Sequence, residues 1–324
     1  MNSSDPPKNS PEPRSDEPAV RETAPGAARA AADAWTIKRL LDWTSDYFTQ
    51  KGTDAPRLAA EMLLAQAIGC QRIQLYTQFD QEPESAARDQ FREWVRRHAA
   101  GEPVAYLVGY REFYSLKFKV TPDVLIPRPE TEHLVTETLD LVQAHSFATP
   151  RRIADVGTGC GALAVTLAKH IDDAAIEALD ISEPALDVAR GNARSHQVQD
   201  RIEFLLSDLF AESSRHDFDL IVSNPPYVGQ NEREIVEASV LQYEPEIALF
   251  APGDDGLGVI RRLVDEAASR LQPQGWLLFE LSPLISKRCE QLIQADSRYR
   301  FHKLVKDLAR LDRVLIAQRA ADQA

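Results

Sequence analysis

The chain has few cysteines, no long apolar run and a shortage of basic side chains, and each lack removes a class of function. Cys70, Cys160 and Cys289 are the 3 cysteines in 324 residues, and no two form a CxxC pair. That excludes a disulfide scaffold or a cysteine zinc site and suits a reducing compartment, so a cytoplasmic location is expected. The 7 histidines show no ligand spacing, so no metal is expected. There is no run of about 18 apolar residues, which predicts no membrane span. Lys and Arg number 37 against 50 Asp and Glu, a net charge of −13. A generic nucleic-acid coat needs the opposite balance, because phosphate binding draws on a surplus of cations.

What remains is ordinary for a globular protein, with 44% apolar and 27% charged residues, and the length suggests two domains. Residues 1–34 stand apart. They hold Pro6, Pro7, Pro11, Pro13, Pro18 and Pro25 and almost no large apolar side chain, so they read as a disordered, solvated tail. The tail lacks the apolar core of a secretory signal, and Asp5, Glu12, Asp16, Glu17, Glu22 and Asp33 do not suit a mitochondrial presequence.

Residues 35–100 carry helical periodicity. Leu40, Leu41, Trp43, Tyr47 and Phe48 form one stripe, Leu58, Met62, Leu63, Ala65 and Ile68 a second that stops at Gly69, and Phe91, Trp94 and Val95 begin a third. Such aromatic stripes read as core, and the segment as a small all-helical domain. Arg92, Arg96, Arg97 and His98 read as a solvated helix face. Residues 101–128 are β-prone at Phe113, Leu116, Phe118, Val120, Val124, Leu125 and Ile126, with a break at Thr121-Pro-Asp123, and predict a β-hairpin linker. A helix follows over about Glu130 to Ala144.

Residues 129–324 alternate apolar runs with helical stretches. The runs Ile153–Val156, Ile176–Leu179, Ile202–Leu206, Phe218–Val222 and Trp276–Phe279 predict parallel strands covered on both faces. Arg300–Leu304 and Arg313–Ala317 predict a closing antiparallel pair. The fold class is therefore α/β with seven strands.

The first of these strands ends in Asp155-Val-Gly157-Thr158-Gly159-Cys160-Gly161, which opens a helix. Glycines there permit a tight turn and close approach of a ligand to the backbone. The spacing is GxGxG, not the GxGxxG of dinucleotide folds, and no GK[ST] follows to cradle phosphates. The next strand ends in Asp180, 19 residues beyond Gly161. An acid in that place can accept both hydroxyls of a ribose; the alternative is a helix cap near Ser182. A nucleoside cofactor without a phosphate cradle points to S-adenosylmethionine, whose positive sulfonium favours an acidic site. Asp155 is then expected at its amino-acid end and Asp208 near its adenine, or both are solvent-facing acids.

Ser223-Asn224-Pro225-Pro226-Tyr227 follows the fourth strand. Two prolines force the chain out at the carboxyl edge of the sheet, where open α/β sheets bind ligands. A planar NH2 group has a delocalised lone pair and is a poor nucleophile. The Asn224 amide oxygen and the Pro225 carbonyl can each accept one of its N–H bonds, orienting the nitrogen and stabilising developing positive charge. Tyr227 is expected to stack on the planar group. The alternative reading of the tetrapeptide is a plain Asn-Pro turn.

Together with Gly101-Glu-Pro-Val-Ala-Tyr106, Arg111-Glu-Phe-Tyr114, Leu125-Ile-Pro-Arg-Pro-Glu-Thr-Glu132 and Tyr243-Glu-Pro245, these motifs resemble the PrmC (HemK) family of protein-glutamine N5-methyltransferases over about Leu40 to Arg319. The resemblance implies a seven-stranded methyltransferase domain behind a helical substrate-recognition domain and a hairpin linker. It implies S-adenosylmethionine held by Gly157, Thr158, Gly159, Cys160, Gly161 and Asp180, with Asp208, Leu209 and Asn224 beside it. Asn224, Pro225, Pro226 and Tyr227 would receive the glutamine of the Gly-Gly-Gln loop of peptide-chain release factors. A monomer with no direct nucleic-acid contact is expected, with Arg128 and Glu130 bracing the linker or simply packing. The chain departs from the family pattern at Leu209, where relatives carry an aromatic residue, at Leu281-Ser-Pro283 after Glu280, and at Lys306–Asp312. A DNA or RNA amino-group methyltransferase, acting on adenine N6 or guanine N2, is the competing reading. A binding module that has lost catalysis is the third.

Overall fold

Strand order, more than any single helix, places the functional residues. Seven strands form one sheet, β3 (Arg151–Val156), β4 (Ala174–Asp180), β5 (Ile202–Leu206), β6 (Phe218–Ser223), β7 (Leu271–Glu280), β8 (Tyr299–Lys306) and β9 (Asp312–Arg319), in the order β5-β4-β3-β6-β7-β9-β8. The first five in that row run parallel, and β9 is antiparallel to both neighbours. All seven expected strands are present. This is a computed structural model describing residues 34–321; apart from Ala34, the expected tail lies outside the described residues.

Helices cover both faces, which is why the central strands read as apolar runs broken only by single acids such as Asp155, Glu177 and Asp219. All 6 residues of β6 are buried. One face packs on α6 (Glu132–Ala144), α7 (Ala162–His170) and α8 (Glu183–Ser195), the other on α10 (Gly258–Arg270) and α11 (Ser286–Ala295). A short helix, α9 (Ala238–Tyr243), lies between β6 and α10.

Before the sheet come α1 (Ile37–Gln50), α2 (Pro56–Ile68), α3 (Arg72–Thr77) and α4 (Ser85–Ala99), which share a separate core. The Thr36 hydroxyl caps α1 by accepting from the Arg39 N–H, and Gly69 ends α2 in the left-handed region at φ +79°. The expected stripes need correction. Trp43 is 51% exposed, and Ile37, Leu40, Leu41, Thr44 and Phe48 form the buried face of α1. In α2, Leu58 is exposed while Ala59, Ala60, Leu63 and Leu64 are buried. The basic cluster on α4 is neutralised by pairing of Arg92 with Asp89, Arg96 with Glu93 and Arg97 with Glu102. His98 is not solvated: its ring lies edge-on to Phe48 at 4.8 Å, and burial holds its pKa below the usual value.

The linker begins with a short helix, α5 (Val104–Val108), then the hairpin β1 (Tyr110–Phe113) and β2 (Leu116–Lys119). Its turn is at Tyr114-Ser115, both in the left-handed region, and not at Thr121–Asp123 as expected. Val120, Val124 and Ile126 then run as a buried strap that is not strand. The strap is tied down at its end. Glu244, just after α9, accepts from the Ile126 N–H at 3.1 Å and pairs with Arg128 at 2.6 Å. Arg128 does brace the linker, whereas Glu130 makes a looser 3.9 Å contact with Arg313. Among the described residues, no helix is long and apolar enough to cross a membrane, and no group of three metal-ligating side chains occurs.

Candidate active site at the carboxyl edge of the sheet

The ends of β3, β4, β5 and β6 and the strap meet around a cavity of about 430 Å³, within the ordinary range for ligand sites. Between β3 and α7 the chain turns through three glycines with φ of +74°, +56° and +81°. A Cβ at Gly157 or Gly159 would meet nothing within 4 Å, and both residues line the cavity, as do Thr158 and Cys160. Gly161 has a different task from the one expected. It does not line the cavity; a Cβ there would sit 3.1 Å from that of Ala189, so its bareness lets α7 and α8 approach closely.

The loop is held from beneath. Asp155 is fully buried, and its Oδ2 accepts from the Thr158 hydroxyl at 2.7 Å and the Ala164 N–H at 3.0 Å. It therefore braces the turn, and it is not among the cavity-lining residues where the sequence reading put it. Its Oδ1 has no hydrogen-bond partner among the described residues, and burial pushes the carboxyl up to about 7. Burial also pushes the Cys160 thiol up to about 12, so this cysteine is a neutral wall. Asn192 of α8, missed in the sequence, donates to the Cys160 carbonyl at 2.8 Å and exchanges hydrogen bonds with the Lys119 backbone. One buried amide thus joins the glycine loop to the hairpin.

Asp180 ends β4 on the cavity wall. Its Oδ2 accepts from the Gly159 N–H at 2.8 Å and its Oδ1 from the Ser182 N–H at 2.9 Å. Burial raises its pKa against the pull of these N–H groups. The helix cap proper is the Ser182 hydroxyl, which accepts from the Ala185 N–H. Asp208 and Leu209 also line the cavity. Asp208 is half exposed and pairs with Arg262 of α10 at 3.1 Å. Leu209 is buried at φ +50°.

After β6, Asn224, Pro225 and Pro226 line the cavity. The Ser223 hydroxyl donates to the Val156 carbonyl at 2.7 Å, locking the ends of β6 and β3 together. Asn224 Nδ2 donates to Thr131 Oγ1 at 3.1 Å, leaving Oδ1 as the free polar atom of the amide. Tyr227 departs from expectation. Its ring packs on the core and its hydroxyl donates to Glu280 Oε1 at 3.1 Å, so it is not among the lining residues and does not offer a stacking face. The strap supplies the opposite wall with Asp123, Val124, Leu125, Pro127 and Thr131. Asp123 to Pro127 fall in the expected linker and Thr131 at the start of the expected sheet domain, and neither group is a site residue by sequence; the signal is the Leu125–Glu132 motif itself.

The residues fit S-adenosylmethionine. Two bare glycines open the backbone to a ligand, and an acid stands at the end of the adjacent strand. The charged residues of the lining are Asp123, Asp180, Asp208 and one cation, Arg262, already paired with Asp208. That balance suits a positive sulfonium.

Residues 39–109 match the family model of the PrmC N-terminal domain, and residues 133–244 that of the methyltransferase small domain. The chain is 46% identical over 288 residues to the release factor glutamine methyltransferase of Rhodopirellula baltica, covering 88% of this chain and 97% of that protein. It is 37% identical over 290 residues to that of Koribacter versatilis, covering 88% and 99%. Among solved structures, the hMettl16 catalytic domain in complex with the MAT2A 3′UTR hairpin 6 is similar with a TM-score of 0.52 at 17% identity, covering 70% of this chain and 83% of that one. At that identity the likeness concerns the fold alone.

Proposed function

The chain belongs to the family of release factor glutamine methyltransferases, and from that premise we propose how its own residues carry the reaction. It is an S-adenosylmethionine-dependent methyltransferase that modifies the side-chain nitrogen of a release-factor glutamine. When bound, S-adenosylmethionine supplies a methyl group made electrophilic by its positive sulfur. Gly157, Thr158, Gly159 and Cys160 would hold the methionine part by close backbone approach, Asp180 the ribose, and Asp208 and Leu209 the adenine.

The acceptor is placed by Asn224 and Pro225. Asn224 Oδ1 and the Pro225 carbonyl take the two N–H bonds of the glutamine amide, aiming the nitrogen lone pair at the methyl group. As the bond from nitrogen to carbon forms and that from carbon to sulfur breaks, the nitrogen becomes positive and both oxygens hold its hydrogens more tightly than before; one of the two then leaves as a proton to solvent, giving the neutral N-methyl amide. Pro226 fixes the exit of the chain, and Tyr227 supports the box from behind. The observation that carries this reading is the Asn224 amide, anchored by its nitrogen and lining the cavity beside the bare glycines.

We further propose residues 35–100 as the substrate-recognition unit, the glutamine of a Gly-Gly-Gln loop as the target, and a cytoplasmic monomer as the working form. A nucleic-acid amino group is the less favoured acceptor, because the cavity walls are acidic and the arginines of α4 are already paired. The test is mass spectrometry of purified release factor incubated with the enzyme and labelled cofactor. The expected result is one methyl gained on a glutamine, and a loss of at least about 100-fold in turnover for Asn224→Ala with cofactor binding retained. Unchanged turnover in that variant would refute the assigned role.

A further inference from the structure

Behind Asn224 lies a buried relay that the reaction as derived above does not use. Glu280, at the end of β7, is 2% exposed. Its Oε2 takes the Thr131 hydroxyl at 2.6 Å and its Oε1 the Tyr227 hydroxyl at 3.1 Å. Thr131 Oγ1 in turn faces Asn224 Nδ2 at 3.1 Å. The directions of these bonds follow from proton counting. An ionised carboxylate has no proton and only accepts. A threonine hydroxyl has one proton, and here it goes to Glu280. The Thr131 oxygen is then restricted to accepting from Asn224, so the amide must turn its NH2 toward Thr131 and its oxygen away.

We propose that Glu280 and Thr131 are positioning residues for methyl transfer, fixing the Asn224 amide in the one orientation that offers Oδ1 to the substrate nitrogen. The inference rests on the reading of Asn224 above and deepens it by naming what controls that side chain. It also implies a proton switch. A proton on Glu280 turns one carboxyl oxygen into a donor to Thr131. The threonine proton is then released toward Asn224, the amide gains from rotating, and its NH2 faces the substrate NH2. Two donors face each other and the acceptor contact is lost.

The groups facing Glu280 are few. Thr131 and Tyr227 donate to it, Glu130 stands before α6, and Arg313 extends from β9, itself held by Asp307 at 2.8 Å. Burial pushes Glu280 up to about 7, with Glu130 adding to the rise and Thr131, Tyr227 and Arg313 opposing it. The ionised, acceptor-orienting form therefore dominates above that value and declines below it.

The experiment measures kcat and KM for release-factor methylation across pH, with cofactor affinity by calorimetry, in the full chain and in Thr131→Val, Thr131→Ser, Glu280→Gln and Asn224→Ala. Thr131→Val is expected to lower kcat about 10- to 100-fold with the cofactor Kd within about twofold, as befits a misdirected acceptor. Thr131→Ser keeps the hydroxyl and should recover kcat to within about threefold of the parent. The parent should lose kcat as pH falls through about 7, and Glu280→Gln should lack that limb. Parent-like kcat in Thr131→Val, an equal loss in Thr131→Ser, or an unchanged acidic limb in Glu280→Gln overturns the proposal. Should Thr131→Val fail to fold, the serine variant and the Glu280→Gln profile decide. Asn224→Ala separates the two readings: active, it defeats the acceptor assignment; inactive beside a fully active Thr131→Val, it defeats only the relay.

Discussion

Gly256→Ala should damage catalysis although Gly256 lies 29 residues beyond Tyr227 and outside the cavity lining. Residues 228–230 and 249–253 pair through the Val228 N–H to the Leu249 carbonyl, the Ala251 N–H to the Val228 carbonyl and the Gln230 N–H to the Gly253 carbonyl. This folds the later loop onto the back of the Asn224–Tyr227 box. A Cβ at Gly256 would stand 2.3 Å from the Tyr227 carbonyl oxygen, against 3.4 Å for ordinary contact, an overlap of about 1 Å. The neighbouring atoms are the Tyr227 carbonyl and the Gly229 nitrogen, all backbone, so no side chain can swing aside. The box must move by about that distance. A misplacement of about 1 Å costs about 100-fold in rate, or about 2.7 kcal/mol at the barrier. The left-handed φ of +69° adds about 1 kcal/mol of lost stability. Gly253→Ala is the control: its φ is +87° but nothing lies within 4 Å of its Cβ. Thermal unfolding should show the left-handed backbone cost in both variants and a further loss in Gly256→Ala from the overlap. Steady-state methyl transfer should fall only in Gly256→Ala, with cofactor Kd little changed. Full turnover in Gly256→Ala, or equal loss in both, refutes the reasoning.

Three further outcomes follow from the same geometry. Asp180→Ala removes an acceptor from the Gly159 and Ser182 N–H groups and from the cavity wall, so calorimetry should find cofactor affinity weakened about 10-fold or more; an unaltered Kd rejects the ribose assignment. Arg128→Ala leaves the buried Glu244 carboxylate with only the Ile126 N–H, and chemical denaturation should show a loss of about 2 kcal/mol; a neutral change denies that the pair holds the strap. Asp155 has a folded pKa raised to about 7, so its contribution to stability is full at low pH and is lost as pH rises through that value. Asp155→Asn has no such charge to bury, and its melting temperature relative to the parent should improve between pH 5 and pH 8; a constant difference contradicts the buried, unpaired Oδ1.

The sheet was legible because strands covered on both faces are mostly apolar, as in Leu220–Val222 of β6, with the few buried polar groups such as Asp219 hydrogen-bonded. The glycine turn, Asp180 and Asn224 were legible as strand-end positions, and the structure brings Gly157, Gly159, Asp180 and Asn224 to one cavity. What escaped the sequence depends on distant contacts. Tyr114 and Ser115 take left-handed conformations with neither Gly nor Asn, and the Tyr114 N–H is held by Glu132 Oε1 at 2.8 Å. No local pattern announces that turn, whereas Thr121-Pro-Asp123 does make a turn, closed by the Val124 N–H to the Thr121 carbonyl at 3.1 Å, but it lies within the strap and not between the two strands. Trp43 has the right spacing to be core, yet the face of α1 that meets α2 passes through Thr44 instead. Tyr227 and Glu280 are 53 positions apart, and Thr131 and Glu280 are 149, so the relay behind the acceptor exists only once β6, β7 and the strap have met.

The strap also bears on modularity. Asp123, Val124, Leu125, Pro127 and Thr131 follow the hairpin and precede α6 in chain order, yet they form one wall of the cavity, and Thr131 anchors the Asn224 amide. A fragment cut at the start of α6 would keep six helices and seven strands but would lose that wall, the threonine behind Asn224 and the reciprocal hydrogen bonds between the Lys119 backbone and the Asn192 amide. A chimaera that replaces α1–α4 must therefore leave the hairpin and the strap, residues 110–131, with the sheet. α5 belongs to both parts, since Leu107 and Val108 pack in the core of α1–α4 and Ala105 in that of the sheet, so a cut ahead of the linker opens the helical core just as a cut behind it removes the cavity wall.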